Sequence, residues 1–521
     1  MFELSSGSYI KAVSIFLGIP LIIFFLGFFN LWAGLIASAI FMVACFFLFR
    51  DQKRDISGQK TVKIPWNFLV LIIIAALITS VFTGVGEYVW TTDDHAFRRA
   101  ILRDLIDHEW PLIYDPSTQQ NPEVAEKLIP FGNYMFIYYL AYWLPAALIG
   151  KIAGFEAANI FLVIFNSAAI VLTLLGMALY LRRASYSVLF MYLCFSGLDV
   201  IPYLIRTGLG MEMYWGFEGY VGHMSMISNM YSLMNVYNQC VPCWLIVTVI
   251  LLLPNAKSLG LWGSLLFAYS PWATFGLIPA ALAKFIKEKK VKDLFTVPNI
   301  LTPVLFITVF GIYYKANSVA TGVSGFTWTF FERDGRPVSD FFISYLILIA
   351  VEVLPFVLLL YRRMHKDILF WTAVGTLLIL PFYKISEQND LVMRGSMPAL
   401  FILCIFMSQK ISEITAERIL KRRKNEKWPA KALVRIVLGT LILAGTLYIP
   451  WNMFAVVLSS TLAPYLASAY GLDISSVPQR LENRIGSFGN INDASYTDRI
   501  KEQFFVYDYE NTVYYRYLAR K

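Results

Sequence analysis

Asp93 and Asp94 are adjacent carboxylates at the head of a charged stretch that runs to Trp110 and Pro111. Two carboxyl groups side by side at a partly desolvated edge can have one pKa raised above the reference value of about 4. A carboxylate so placed can accept the proton of an attacking hydroxyl. The same pair would also cap a helix, since negative charge is favoured at a helix N-terminus, and the two residues alone leave both roles open. Asp390 and Arg394 are four apart and share one helix face. Arg394, with Lys384 nearby in sequence, suits a departing phosphate because a guanidinium matches phosphate oxygens two at a time. A plain Asp390–Arg394 ion pair at a helix end is the alternative.

Residues 205–231 bring Arg206, Glu212, Trp215, Glu218, Tyr220 and His223 together among glycines and methionines. Carboxylates beside aromatics suit a sugar. Glu212, Glu218 and His223 match no strong metal-ligand spacing, so a divalent metal is not expected and solvated loop contacts are the plainer reading. Glu352 falls near the middle of an apolar run, where a charge is expensive, and reads as a neutral hydrogen-bonded acid ahead of a proton relay. Cys240 and Cys243 lie in an apolar run and read as buried thiols.

The elements that must position these groups are membrane helices. Of 521 residues, 58% are hydrophobic and 15% charged, against about 25% charged in soluble domains. That balance excludes a soluble enzyme and a disordered chain, and five cysteines make no disulfide framework. Apolar runs able to cross a hydrocarbon layer of about 30 Å occupy 9–29, 31–49, 66–86, 157–180, 185–204, 232–254, 297–314, 341–361, 368–382, 395–409 and 433–456. They predict an all-α polytopic membrane protein of roughly 11 to 13 transmembrane helices. The first run lacks a small-residue cleavage site and reads as an anchor.

The net charge of +9 is read as the bias of cytoplasmic loops, with no nucleic-acid partner. The basic stretches 50–63, 284–292, 362–366 and 410–431 then belong inside, which places 87–131, 205–231, 315–340, 383–394 and the tail outside. Arg182 and Arg183 also belong inside. The stretch 132–150, broken by Pro145, therefore becomes an interfacial helix or short hairpin. By the same logic 258–283 becomes two short helices turning at Ser270, Pro271 and Trp272. Residues 1–459 are expected to form the membrane domain, and 460–521 a small external C-terminal segment rich in tyrosine.

Past Ala96, the apolar residues Phe97, Ile101, Leu102, Leu105 and Ile106 recur at helical spacing. This predicts an amphipathic helix on the membrane surface, started by a Thr/Asp cap and ended at Trp110-Pro111. An acidic pair, a surface helix ending in Trp-Pro, and the stretch from Pro130 to Leu140 (Pro-Phe-Gly-Asn-Tyr-Met-Phe-Ile-Tyr-Tyr-Leu) resemble the GT-C superfamily of polyprenyl-linked glycosyltransferases. The aminoarabinose and protein O-mannosyl transferases belong to that superfamily. The segment Glu387 to Leu400 is similar to one found in bacterial members, and the likeness in architecture covers most of residues 60 to 410. The chain departs from the aminoarabinose-transferase pattern at Phe131-Gly132-Asn133, where a Pro-Pro pair would stand.

The resemblance implies a GT-C-like bundle with a catalytic Asp in the first external loop, matched by Asp94 or Asp93 with Asp94 favoured. It implies a polyprenyl-phosphate sugar as donor and no tightly bound cofactor. Candidate substrate contacts are Arg394, Lys384, Asp390, Glu212, Glu218, His223 and Trp110. The expected protein is an inverting glycosyltransferase of the bacterial cytoplasmic (inner) membrane, active on its external face. Its acceptor would be an envelope glycan, lipid or protein. A transporter or flippase of lipid-linked glycans, or an envelope polysaccharide polymerase, are the rival expectations.

Overall fold

Backbone groups in hydrocarbon find no water, so spanning segments must satisfy their hydrogen bonds internally as helices. The chain is accordingly mainly helical with little sheet. The computed structural model describes residues 1–54, 58–89, 94–118, 122–211, 218–317, 323–386, 388–423 and 504–521, with isolated positions at 439, 441 and 469–471. The first helices are α1 (Ser6–Phe28), α2 (Leu31–Arg54), α3 (Trp66–Phe82), α4 (Asp94–Asp107), α5 (Pro122–Leu128), α6 (Leu144–Ala153) and α7 (Phe155–Leu181). They are followed by α8 (Tyr186–Cys194), α9 (Val200–Gly208), α10 (Asn229–Leu252), α11 (Leu259–Tyr269), α12 (Pro271–Glu288) and α13 (Val297–Lys315). The remainder are α14 (Thr327–Arg333), α15 (Val338–Glu352), α16 (Leu354–Met364), α17 (Ile368–Ile379), α18 (Asp390–Gly395) and α19 (Met397–Arg423).

Among the described residues, 6 helices are long and apolar enough to cross a membrane: α1, α2, α7, α10, α13 and the run Asp390–Thr415. The pair α15 and α16, bent by 51°, brings the number to 7. The helices α3, α11 and α17 are apolar but shorter. Of the other expected crossings, 185–204 is broken into the nine-residue helices α8 and α9, and most of 433–456 lies outside the described residues.

Contacts at helix ends sort the bundle into two opposite ends. Helix α1 starts at Ser6, whose N–H donates to the Lys60 carbonyl at 2.8 Å. About 34 Å further along it finishes at Phe28, stacked on Trp110 with ring centroids 5.5 Å apart. Helix α7 starts at Phe155 under the Arg99 and Arg103 guanidiniums and finishes near Tyr180, whose ring lies under Lys60. Helix α17 starts after Asp367, ion-paired with Lys287, and leads out to Lys384. One end therefore collects α4, α14 and α18. The other collects the basic stretches around Lys60, Arg182 and Lys284.

The two ambiguous stretches resolve as expected. Helices α11 and α12 are separate and turn at Ser270. Residues 134–153 form strand β4 (below), a short turn at Leu140–Trp143 and α6, all at the Asp94 end: Lys151 of α6 donates to the carbonyls of Ile106 and His108 just past α4. Close backbone approach needs glycine at one crossing: a Cβ on Gly276 of α12 would lie 1.8 Å from the Gly395 carbonyl oxygen of α18.

Among the described residues, three small antiparallel sheets tie loops together. β1 (Phe2–Ser5) pairs with β2 (Thr61–Ile64), and β5 (Ser324–Phe326) pairs with β6 (Tyr383–Ile385). The third has the order β3 (Ile113–Tyr114), β4 (Tyr134–Phe136), β7 (Phe505–Val506). Residues 504–521 thus pack against the helical part. The Tyr514 hydroxyl donates to the Phe28 carbonyl at 2.7 Å, and the Phe504 ring meets Tyr138 edge-on at 4.8 Å. The expected boundary near residue 460 lies outside the described residues.

Candidate active site

The site grows from the turn after α3. Gly84, Gly86 and Glu87 all have positive φ there. Asp93 lies outside the described residues, and Asp94 opens α4 with its side chain 54% exposed. Helical spacing brings Arg98 one turn on, with Nη2 3.6 Å from Asp94 Oδ2. Position 98 shares its helix face with the buried Ile101, Leu102 and Leu105, so the guanidinium is carried inward and buried. Its Nε and Nη1 find no hydrogen-bond partner, and its charge sits over the Tyr237 ring, 5.5 Å from the centroid. A buried guanidinium with spare donors is costly unless an anion completes it.

Four elements converge on this pair. Tyr138, just after β4, lies in the electrostatic field of Arg394, Arg98 and Asp94 and has the Gln239 side chain as a neighbour. Gln239 of α10 accepts from the Ser270 hydroxyl at 2.9 Å, at the turn between α11 and α12. Tyr139 lies beside Trp272 and within the field of Arg394. Asp94, Arg98, Tyr138 and Arg394 therefore belong to one constellation at one end of the bundle. Arg394 is also ion-paired with Asp390 on α18, as the four-residue spacing allows.

His95, next to Asp94, is buried with its ring 6.3 Å from that of Tyr237. Burial first, and the Arg98 charge second, push its pKa down to about 3. It is neutral at ordinary pH and is not the charged partner of Asp94. Glu87 is ion-paired with Arg99, yet burial pushes its carboxyl up to about 7 against the pull of that cation.

The other candidates fall elsewhere. Trp110 packs over Gly27 and Phe28 and donates from Nε1 to the Leu105 carbonyl at 2.9 Å, which anchors the end of the surface helix onto α1. The peptide bond from Trp110 to Pro111 is cis. Lys384 of β6 is buried, with Nζ 2.8 Å from His223 Nδ1 and 4.6 Å from the Phe330 ring centroid. The other ring nitrogen of His223 lies 2.6 Å from Asp334 Oδ2, which makes a Lys384–His223–Asp334 row. Burial lowers the His223 pKa while Asp334 opposes it.

Glu212 lies outside the described residues. Glu218 is buried, accepts from the Ser228 N–H at 3.1 Å, and has its carboxyl pushed well above the usual range by burial and by Asp199. Glu352 accepts from the Tyr220 hydroxyl at 2.6 Å and also lies beside Asp199, at the break between α15 and α16. Among the described residues no group of three His, Cys, Asp or Glu side chains is placed to hold a metal. Cys240 and Cys243 are buried free thiols.

Sequence reasoning missed Arg98, Tyr138 and Gln239. Arg98 had a signal, a charge inside the apolar stripe of an amphipathic helix. Tyr138 and Gln239 had none, being polar residues in apolar surroundings. The chain matches no known family, and neither a curated protein nor a solved structure is detectably similar to it.

Proposed function

We propose that the chain is an integral membrane glycosyltransferase of the GT-C kind, a bundle of about 11 to 13 crossings in a bacterial cytoplasmic membrane. It moves a sugar from a polyprenyl phosphate to an envelope glycan, lipid or protein on the external face. One observation carries this reading: a half-exposed carboxylate, Asp94, stands beside a buried guanidinium with spare donors, Arg98, in the field shared by Tyr138 and Arg394. A group to take a proton and cations to receive a phosphate are the needs of sugar transfer from a lipid phosphate.

In the proposed step the acceptor oxygen bonds to the anomeric carbon from the face opposite the phosphate, and its proton passes to Asp94 or to the adjacent Asp93. The bond from the anomeric carbon to the phosphate oxygen breaks. Its electron pair leaves with the polyprenyl phosphate, whose charge Arg98 and Arg394 receive. The anomeric configuration inverts. A lipid donor suits the setting, because its tail can lie along the apolar flanks of the helices while its head reaches their ends.

The test uses purified protein in lipid, a panel of labelled polyprenyl-phosphate sugars and an envelope extract as acceptor. Wild type is compared with Asp93→Asn and Asp94→Asn. Transfer that collapses in one variant, with donor binding and thermal stability retained, is the expected result. Transfer indifferent to both substitutions would remove the site.

A transporter of lipid-linked glycans is the second reading, favoured by the break at Glu352. Discontinuous helices beside buried acids line transport paths. Movement of a labelled lipid-linked glycan across a vesicle bilayer without covalent change would favour it.

A further inference from the structure

At the end of the bundle opposite Asp94, four cations gather, of which only two among the described residues, Lys284 and Lys287, are paired with carboxylates. Lys60 is tied to the start of α1 through its backbone, with Ser6 N–H donating to its carbonyl at 2.8 Å and its own N–H donating to the Ser6 hydroxyl at 3.2 Å. Its half-buried ammonium lies 4.3 Å from the Tyr180 ring centroid. Arg182 ends α7 two residues later, in the left-handed conformation with φ 54°. Lys284 and Lys287 lie one turn apart on α12. Burial and these three cations together lower the Lys60 pKa to about 8.

The carboxylates within reach are already engaged: Glu288 lies 3.4 Å from Lys284, and Asp367 lies 3.7 Å from Lys287. Lys60 and Arg182 have no ion-pair partner among the described residues. A second, independent observation gives the depth of this cluster. Exposed Trp66, Tyr186, Tyr361 and Trp371 stand near the termini of α3, α8, α16 and α17 at this same end. Exposed Trp and Tyr at helix termini mark the level of lipid headgroups.

We propose that Lys60, Arg182, Lys284 and Lys287 form a binding site for the phosphate of an anionic phospholipid, in the leaflet that this end of the bundle faces. The cations repel one another until an anion enters, and the two charged oxygens of a phosphodiester suit the unpaired Lys60 and Arg182, with Lys284 and Lys287 adding to the field. A zwitterionic lipid brings its own ammonium and gains far less. Basic pockets between helices at the cytoplasmic level recognise headgroups in this way, and positive charge at this end agrees with the orientation expected from the loops. The proposal stands apart from the transferase reading and does not depend on it.

The experiment measures lipid binding to the full chain in detergent by native mass spectrometry and by thermal melting. Three ligands are titrated: phosphatidylglycerol, phosphatidylcholine and inorganic phosphate. Wild type is expected to retain phosphatidylglycerol at least ten-fold more strongly than phosphatidylcholine and to melt higher in its presence, with little response to inorganic phosphate. The double variant Lys60→Gln/Arg182→Gln is expected to lose that preference while melting no lower than wild type without lipid, because its removal of charge relieves repulsion. The charge-keeping double variant Lys60→Arg/Arg182→Lys is expected to retain it. Equal retention of both lipids by wild type, a preference that survives in the double Gln variant, or protection by inorganic phosphate equal to that by lipid would each overturn the proposal.

Discussion

The two ends of the bundle treat surplus positive charge in opposite ways. At the Asp94 end one guanidinium, Arg98, is drawn inside, held among apolar neighbours on α4 and answered by a carboxylate 3.6 Å away. At the Lys60 end four cations stand around a half-buried rim, and the carboxylates there are already paired. Depth separates the two cases more than the number of charges does. A buried charge costs several kcal/mol even after relaxation, so it is retained where it completes an interaction. A charge at a half-buried rim keeps part of its water and costs less, so several can gather even where burial already lowers the Lys60 pKa.

The comparison breaks most readily at Asp94. Asp94→Asn is expected to lower sugar transfer by about 10²- to 10⁴-fold, read with the labelled donor, with the fold retained and a modest fall in melting temperature, because the half-exposed carboxylate answers the buried Arg98. Arg98→Gln comes next, lowering kcat/KM by roughly 10²- to 10³-fold and weakening retention of the lipid phosphate product. If Arg98 were only a partner for Asp94, product retention would not change.

His95 tests burial without charge at the same end. Its pKa is lowered from 6.5 to about 3 by burial and Arg98, so the unfolded chain binds the extra proton first. The resulting stability is complete above pH of about 6.5 and is lost as pH falls toward the folded value, by about 2 kcal/mol at pH 5. His95→Gln is expected to flatten this loss in melting curves taken from pH 7 to 5. The smallest effect is expected at the other end: Lys60→Gln without added lipid should raise stability by less than about 1 kcal/mol. A large loss of stability there would show Lys60 to be buried in a paired role and would erase the contrast between the ends.

Much of the scaffold was legible because it is local. Apolar runs became helices, Ser270 turned one pair of short ones, and the spacing from Phe97 to Ile106 became α4 with Asp94 at its head. The placing of 134–153 at the Asp94 end agrees with the need to keep Arg182 and Arg183 on the basic side. The pairings that complete the site were not legible, since they join distant segments. Nothing in local periodicity connects Tyr138 with Gln239, Lys384 with His223, or Tyr220 with Glu352. Lys384 and Arg394 are neighbours in sequence, yet the Lys384 amine is given to a loop far back in the chain. The break after Glu352 lies inside the long apolar run 341–361, whose length fits one span even though Glu352 and Pro355 mark the point where it bends.

The strand Phe505–Val506 pairs with β4, and Phe504 lies against Phe97 and Tyr138. A ribosome makes these residues only after every helix described above has been synthesised. The wall beside Tyr138 is thus laid after the helices, and a chain whose late segment fails to reach β4 would carry its helices without that wall. Order of synthesis itself then delays the moment at which the proposed site is complete.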